Sequence, residues 1–263
     1  METSRPGGLN RDQMQQAARR IYLLYHELRP AKSEYSYVLG TNAFARHVEL
    51  FAALRERQAP ILPEITFDDG HRSNFEYAAP VLDAKGLKGT FFITAGWTGS
   101  KRDFMGWDEL RSLLQSGHRI GAHGWSHKLL THCNESELAV ELRDAKHALE
   151  DNLGAPVTTM SLPGGRYNKA VLTACKSAGY TQIFTSVPQA EPEPAGEMVG
   201  RLNILSGMTL EWIDDLFRPA STTLTKLGRQ YRIKETAKTL LGDRLYERVW
   251  ALANRREPEP DME

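Results

Sequence analysis

The chain has 263 residues, 41% hydrophobic and 25% charged, which suits one large α/β domain, or one domain plus an appendage, with a real core. Lysine plus arginine and aspartate plus glutamate number 33 each, so overall charge directs the protein neither to nucleic acid nor to a membrane. Cys133 and Cys175 lie far apart and make no CxxC pair, which argues against a thiolate metal site or a disulfide framework.

Residues 1–20 read as a polar leader without an apolar h-region, and no run of about 18 apolar residues follows. The expectation is a cytoplasmic protein with no transmembrane segment. Ile21-Tyr-Leu-Leu-Tyr25, ending at His26, reads as a buried strand, and Ala31 to Gly40 as a loop. Thr41 to Gln58 has helical periodicity through Phe44, Val48, Phe51 and Leu54, with Thr41 or Asn42 as cap.

Ile61 to Phe67 is a second strand, delivering the chain into Asp68-Asp69-Gly70. A helix over Phe75 to Lys85, a strand over Gly89 to Thr94 and a helix over Trp107 to Gln115 follow. Arg119 to Ala122 is a short strand leading into His123. Glu137 to Leu153 is an amphipathic helix, with Asn134 and Glu137 as a capping pair and Gly154 at its end. Val157 to Leu162, Lys169 to Ala178 and Tyr180 to Thr185 continue the strand–helix alternation, which predicts a mainly parallel sheet flanked by helices. The pattern leaves open whether that sheet closes. Glu191 to Gly200 is a Pro/Glu loop, and the chain from about 209 onward is helical until a polar tail. Arg218 to Arg256 is rich in Lys and Arg, either a solvated helical face or a peripheral contact with an anionic membrane.

Two constellations carry chemistry. In Thr66-Phe-Asp-Asp-Gly70, adjacent carboxylates close an apolar strand, where parallel sheets place their ligands. The competing reading is a plain Asp-Gly turn. His123-Gly-Trp-Ser-His127 follows another strand, and its His-x-x-x-His spacing sets both imidazoles on one face of a helical turn. Two histidines and a carboxylate suit zinc and leave a coordination position open, while a second carboxylate could act as base.

Together, Thr66-Phe-Asp-Asp-Gly70 and Gly121-Ala-His-Gly-Trp-Ser-His127 resemble the polysaccharide deacetylases, the NodB-homology or carbohydrate esterase family 4 group. Met105-Gly-Trp-Asp-Glu-Leu110 and Gly117-His-Arg-Ile-Gly121 are also similar, and the likeness runs roughly from Ile21 to Leu205. It implies a deformed (β/α) barrel over residues 21–208, a basic helical extension over 209–263, and hydrolysis of an N-acetyl group on an amino sugar or of a related ester. It makes Asp68 the general base, and Asp69, His123 and His127 the ligands of a divalent metal: zinc first, with cobalt, nickel or manganese as alternatives. Gly124 stands where the family has a loop-bracing Ser or Thr.

The family's R-x-P-Y-G motif falls on Ser161-Leu-Pro-Gly-Gly165, so Gly164 would supply the oxyanion N–H. The arginine that orients the base is missing there, and Arg166 could substitute from the other side of the turn. An Asp expected near Phe184-Thr-Ser-Val187 and a His expected near Leu202 to Leu205 are absent. Leu23-Leu-Tyr-His26 has the shape of that last motif, displaced to the first strand. His26 is therefore assigned as general acid, in a branch with a permuted final motif, against a buried structural histidine. Arg166, Tyr167 and Trp125 are candidate substrate contacts, the two aromatics being equally compatible with core packing. His47, His71, His118, His132 and His147 read as surface or helix-flank residues, with cleft lining as the lesser alternative for His71, which directly follows Gly70. Rival readings are a hydrolase of another amide or ester and an inactive sugar-binding relative.

Overall fold

The computed structural model describes residues 19–31 and 33–241. The leader expected over 1–20 and the polar tail fall largely or wholly outside those residues. The first strand, β1 (Arg19–Tyr25), starts two residues before Ile21, because Arg19 and Arg20 pair with Ile61 and Leu62 of β4 (Ile61–Phe67). Between them β2 (Glu27–Arg29) and β3 (Val38–Gly40) form a small parallel ladder, followed by helix α1 (Thr41–Glu56). The cap of α1 is Gly40 without a side-chain bond, rather than Thr41 or Asn42, since Thr41 is already in the first turn.

After β4 come a π-helical turn (Asn74–Ala78), α2 (Ala79–Ala84), β5 (Gly89–Ile93), α3 (Trp107–Gln115) and β6 (Arg119–Ala122). The amphipathic segment that follows is α4 (Glu135–Ala139), a π-helical turn (Val140–Asp144) and α5 (Ala145–Leu153). Its capping box joins Asn134 and Glu137, and Gly154 ends it with φ 65°. Then come β7 (Thr159–Ser161), α6 (Lys169–Ser177), β8 (Gln182–Phe184), β9 (Glu191–Pro192), β10 (Met198–Val199) and β11 (Arg201–Asn203). The expected Pro/Glu loop thus holds two short strands, β9 pairing antiparallel with β1. Helices α7 (Leu210–Asp215) and α8 (Thr223–Leu241) end the described chain, and no described helix is long and apolar enough to cross a membrane.

The main sheet runs β10-β8-β7-β6-β5-β4-β1-β11, every neighbour on this path parallel. It is a nearly closed barrel. One chain segment spans the gap: β10 adds to β8, and β11, one residue later, adds to β1. Gly200 lies between them because a Cβ there would sit 2.4 Å from the Val187 carbonyl oxygen. Its N–H donates to the buried Glu191 carboxylate at 2.6 Å.

Strand alternation sorts the side chains. Ile21, Leu23 and Tyr25, with Ile65, Phe67, Phe91 and Ile93, join the layer under the helices, where Phe67 and Phe91 stack at 4.7 Å. His47 and His118 belong to this layer, not to the surface: both are buried, His47 beside the Tyr25 hydroxyl at 3.2 Å and His118 accepting from the Gly89 N–H at 3.1 Å. Burial drives the His47 pKa down to about 4. Phe92, Phe184 and Val199, with Tyr22 against them, form a second, separate apolar cluster. Gly121 makes room for it, since a Cβ would lie 2.5 Å from the Phe92 ring. Continuing the alternation upward from Tyr22 and Phe92 brings His26, Asp68, Thr94, His123, Ser161 and Arg201 to one mouth.

Candidate active site

Asp68 follows β4 directly, its N–H donating to the Tyr25 carbonyl at 3.0 Å. Alternation alone would turn Asp69 away. Instead Asp69 has φ 71° and Gly70 φ 82°, so the Asp-Asp-Gly turn is real and bends both carboxylates toward one site. His123, at the end of β6, is anchored by its N–H on the Ile93 carbonyl at 2.8 Å. His127 does not reach it by a helical turn, as the spacing predicts: residues 123–127 are irregular, and His127 sits at φ 64°. Among the described residues only Gln58, Asp69 and His127 are non-glycine positions with positive φ. Left-handed backbone at such residues is held by its surroundings and clusters at functional sites.

The loop carrying His127 is gripped on two sides. Ala95 and Gly96 donate N–H bonds to the carbonyls of Gly124 and Trp125, both at 2.9 Å. On the other side the buried Glu141 carboxylate accepts the N–H groups of Trp125 (2.8 Å) and Ser126 (3.0 Å), and the Ser126 hydroxyl. Gly124 (φ 82°) lies against it, a Cβ there falling 2.8 Å from Glu141 Oε2. Glu141 thus does the bracing that Gly124 cannot.

Asp69, His123 and His127 bring their ligand atoms within 4.8 Å of one another. Asp69 Oδ1 lies 3.3 Å from His123 Nε2 and 3.4 Å from His127 Nε2, and this buried oxygen has no hydrogen-bond partner. His123 Nδ1 donates to the Ser161 carbonyl at 2.8 Å, which fixes the proton there and turns the Nε2 lone pair toward Asp69. Metal bonds of roughly 2.0–2.1 Å in a tetrahedral site set ligand atoms about 3.3–3.4 Å apart. The two Asp69–histidine distances match that spacing, and the three residues fit a zinc-type cation in donor chemistry.

Beside this triad, Asp68 is fully enclosed by donors. Arg201 Nη1 and Nη2 bind its two oxygens at 2.7 and 2.8 Å, and the Ser161 hydroxyl donates to Oδ2 at 2.9 Å. Arg201 is 0% exposed; it also reaches Ser161 Oγ at 2.6 Å and the Thr185 carbonyl at 3.3 Å. The guanidinium on Asp68 is therefore not that of Arg166. It comes from β11, forty residues beyond the family position, which Ser161 now fills. Burial pushes the Asp68 pKa up, but the Arg201 and His123 charges outweigh it and hold the carboxyl below its usual range. Burial likewise raises Asp69, and the neighbouring imidazoles of His123, His26 and His127 more than reverse it. His123 is lowered by burial yet raised overall by Asp68 and Asp69.

His26 follows β1, whose Tyr25 stands in register with Phe67, so it is placed beside Asp68 at the mouth. Its Nδ1 is buried without a hydrogen-bond partner, and burial lowers its pKa against the pull of Asp69 and Asp68. Gly164 is exposed with φ 63°, on the turn after β7. Trp125 and Tyr167 are 38% and 42% exposed, which excludes core packing. Trp97 was not among the sequence candidates; its ring lies 5.5 Å from that of His127. Arg201 and Glu141 were also missed. A signal existed for each: an arginine inside the apolar run Val199 to Leu205, and a glutamate on the buried face shared by Leu138, Leu142 and Ala145.

Residues 58–183 match the family model described as polysaccharide deacetylase. The chain is 30% identical over 146 residues to YxkH of Bacillus subtilis (strain 168), covering 55% of this chain and 52% of YxkH. It is 27% identical over 186 residues to a chitin deacetylase of Arthroderma benhamiae, covering 66% of this chain and 47% of that protein. The chain thus spans about half the length of the curated relatives it matches. Among solved structures, the Streptococcus pyogenes deacetylase PplD in complex with acetate superposes with a TM-score of 0.68, covering 77% of this chain and all of PplD. At 19% identity that likeness speaks to the fold. The barrel and the two motifs agree with the matched segment: residues 58–183 are similar to the polysaccharide deacetylase family model, and the fold is that of the deacetylase PplD.

Proposed function

We propose that the protein is a metal-dependent hydrolase that removes the acetyl group from an N-acetylated amino sugar of a polysaccharide or glycan precursor. One observation carries the reading: Asp69, His123 and His127 bring three ligand atoms within 4.8 Å of one another beside a carboxylate held ionised by a buried arginine. The chitin deacetylase among the relatives supports the sugar amide as substrate class.

A divalent cation held by Asp69, His123 and His127 supplies Lewis acidity toward a carbonyl oxygen and a nearby water. Asp68, kept as a carboxylate by Arg201, takes the proton from the attacking water as its oxygen bonds to the acetyl carbon. The Gly164 N–H faces the developing oxyanion across the mouth. His26 gives a proton to the amine nitrogen as the C–N bond breaks, leaving acetate and a free amino sugar. Ser161 and Arg201 move no proton; they fix which way Asp68 points.

The test is acetate release from a panel of N-acetylated sugars by zinc-loaded protein, with metal content measured alongside. Release from at least one sugar and about one zinc per chain are expected. Stoichiometric zinc without release from any sugar, amide or aryl ester would overturn a catalytic role.

A further inference from the structure

The reading above makes His26 the donor to the leaving amine, and that choice locates the sugar. The amine nitrogen is attached to the pyranose, so the ring must lie against whatever borders His26 on its outer side. The ring next to His26 is Tyr37, edge-on with centroids 5.0 Å apart at 75°. Tyr35 comes next, 5.6 Å from Tyr37, and its side chain is 44% exposed. The two aromatics step outward from the mouth.

The segment that carries them is anchored. The Val38 N–H donates to the Tyr35 carbonyl at 3.1 Å, the Tyr35 N–H to Ser33 Oγ at 3.1 Å, and the Ser206 N–H to the Ser36 carbonyl at 2.8 Å. Val38 to Gly40 then enters the β2–β3 ladder. Tyr37 is half-buried and Tyr35 exposed, and aromatic surface on an anchored loop beside the mouth marks a binding surface. Position separates them from the other exposed rings. Trp125 and Tyr167 follow β6 and β7, on the side of Gly164, where the acyl group would lie; β1 stands three strands from β6 in the sheet order.

We infer that Tyr37 and Tyr35 form a stacking subsite for the sugar side of the substrate, Tyr37 facing the ring that bears the acetamido group and Tyr35 the next ring of an oligomer. The C–H face of a pyranose is apolar and suits the negative face of an aromatic ring. This inference rests on the deacetylase reading, and the experiment separates the two.

The N-acetylglucosamine trimer is titrated calorimetrically into zinc-loaded wild type and into Tyr35→Ala, Tyr35→Phe and Tyr35→Trp, with acetate release measured on the same samples. Tyr35→Ala should weaken trimer binding about threefold to tenfold, the range of one aromatic stacking contact. Tyr35→Phe and Tyr35→Trp should bind within twofold (~2) of wild type, since the ring and not the hydroxyl makes the contact. Wild-type affinity in Tyr35→Ala overturns the subsite while leaving the hydrolase intact. Trimer binding that falls in Tyr35→Ala but not in Tyr35→Phe, in a protein that releases no product from the trimer or from any sugar, amide or aryl ester of the panel, upholds the subsite and overturns the hydrolase. Absence of trimer binding by wild type overturns the subsite outright.

Discussion

The triad of candidate ligands and the network around Asp68 share one barrel mouth, yet they are positioned by different means. Asp69 and His127 stand on turns, in left-handed backbone that neighbouring hydrogen bonds impose. Asp68 stands directly after β4, Ser161 on β7 and Arg201 on β11, and only closure of the sheet brings them together. Short segments write the first set; sequence separations of 93 and 133 residues write the second. Damage to the first should therefore appear as lost metal, and damage to the second as lost turnover or lost stability with the metal site still formed.

The sharpest break is His123→Ala, which removes one of three ligands; zinc retention after dialysis should fall to background, and acetate release with it. Asp68→Asn should cost about 10²- to 10⁴-fold in kcat, the usual worth of a general base. Its zinc content should match wild type, and a variant that keeps full turnover would end the assignment of Asp68. Arg201→Met leaves a buried carboxylate without its cation, so unfolding free energy should fall by about 3–5 kcal/mol. In a denaturant series, Asp68→Asn/Arg201→Met should be less destabilised than the sum of the single variants, because the two residues share one interaction. Additive losses would show that the pair is not coupled. Smallest is the loop brace: Glu141→Ala should weaken zinc about 10- to 100-fold, read by competition with a chelator, as outer-shell partners do. Glu141→Gln, which keeps an acceptor for the Trp125 and Ser126 N–H groups, should recover most of that affinity. A lower Tm with unchanged zinc affinity would reduce Glu141 to a structural role.

The same division explains what could be read from the chain. Strand β6 and the Asn134–Glu137 cap follow from local pattern and stand where expected, and the barrel follows from the motif resemblance. Residues Asp68, Asp69, His123 and His127 are legible because each pair lies within five positions of sequence. The left-handed backbone at Asp69 and His127 is not, since Asp and His tolerate positive φ without requiring it. Arg201 is illegible for a plainer reason. A guanidinium in an apolar strand has no meaning until register shows which carboxylate it meets, and the absent arginine drew attention to Arg166, its neighbour in sequence rather than in space.

Gly200 gives the seam of the barrel a further meaning. The residue after it is Arg201, so the chain step that carries the last strand from β8 to β1 also delivers the cation to Asp68. A barrel left open at that seam would lack the counter-charge of Asp68. Completion of the cylinder and pairing of its central carboxylate are thereby one event.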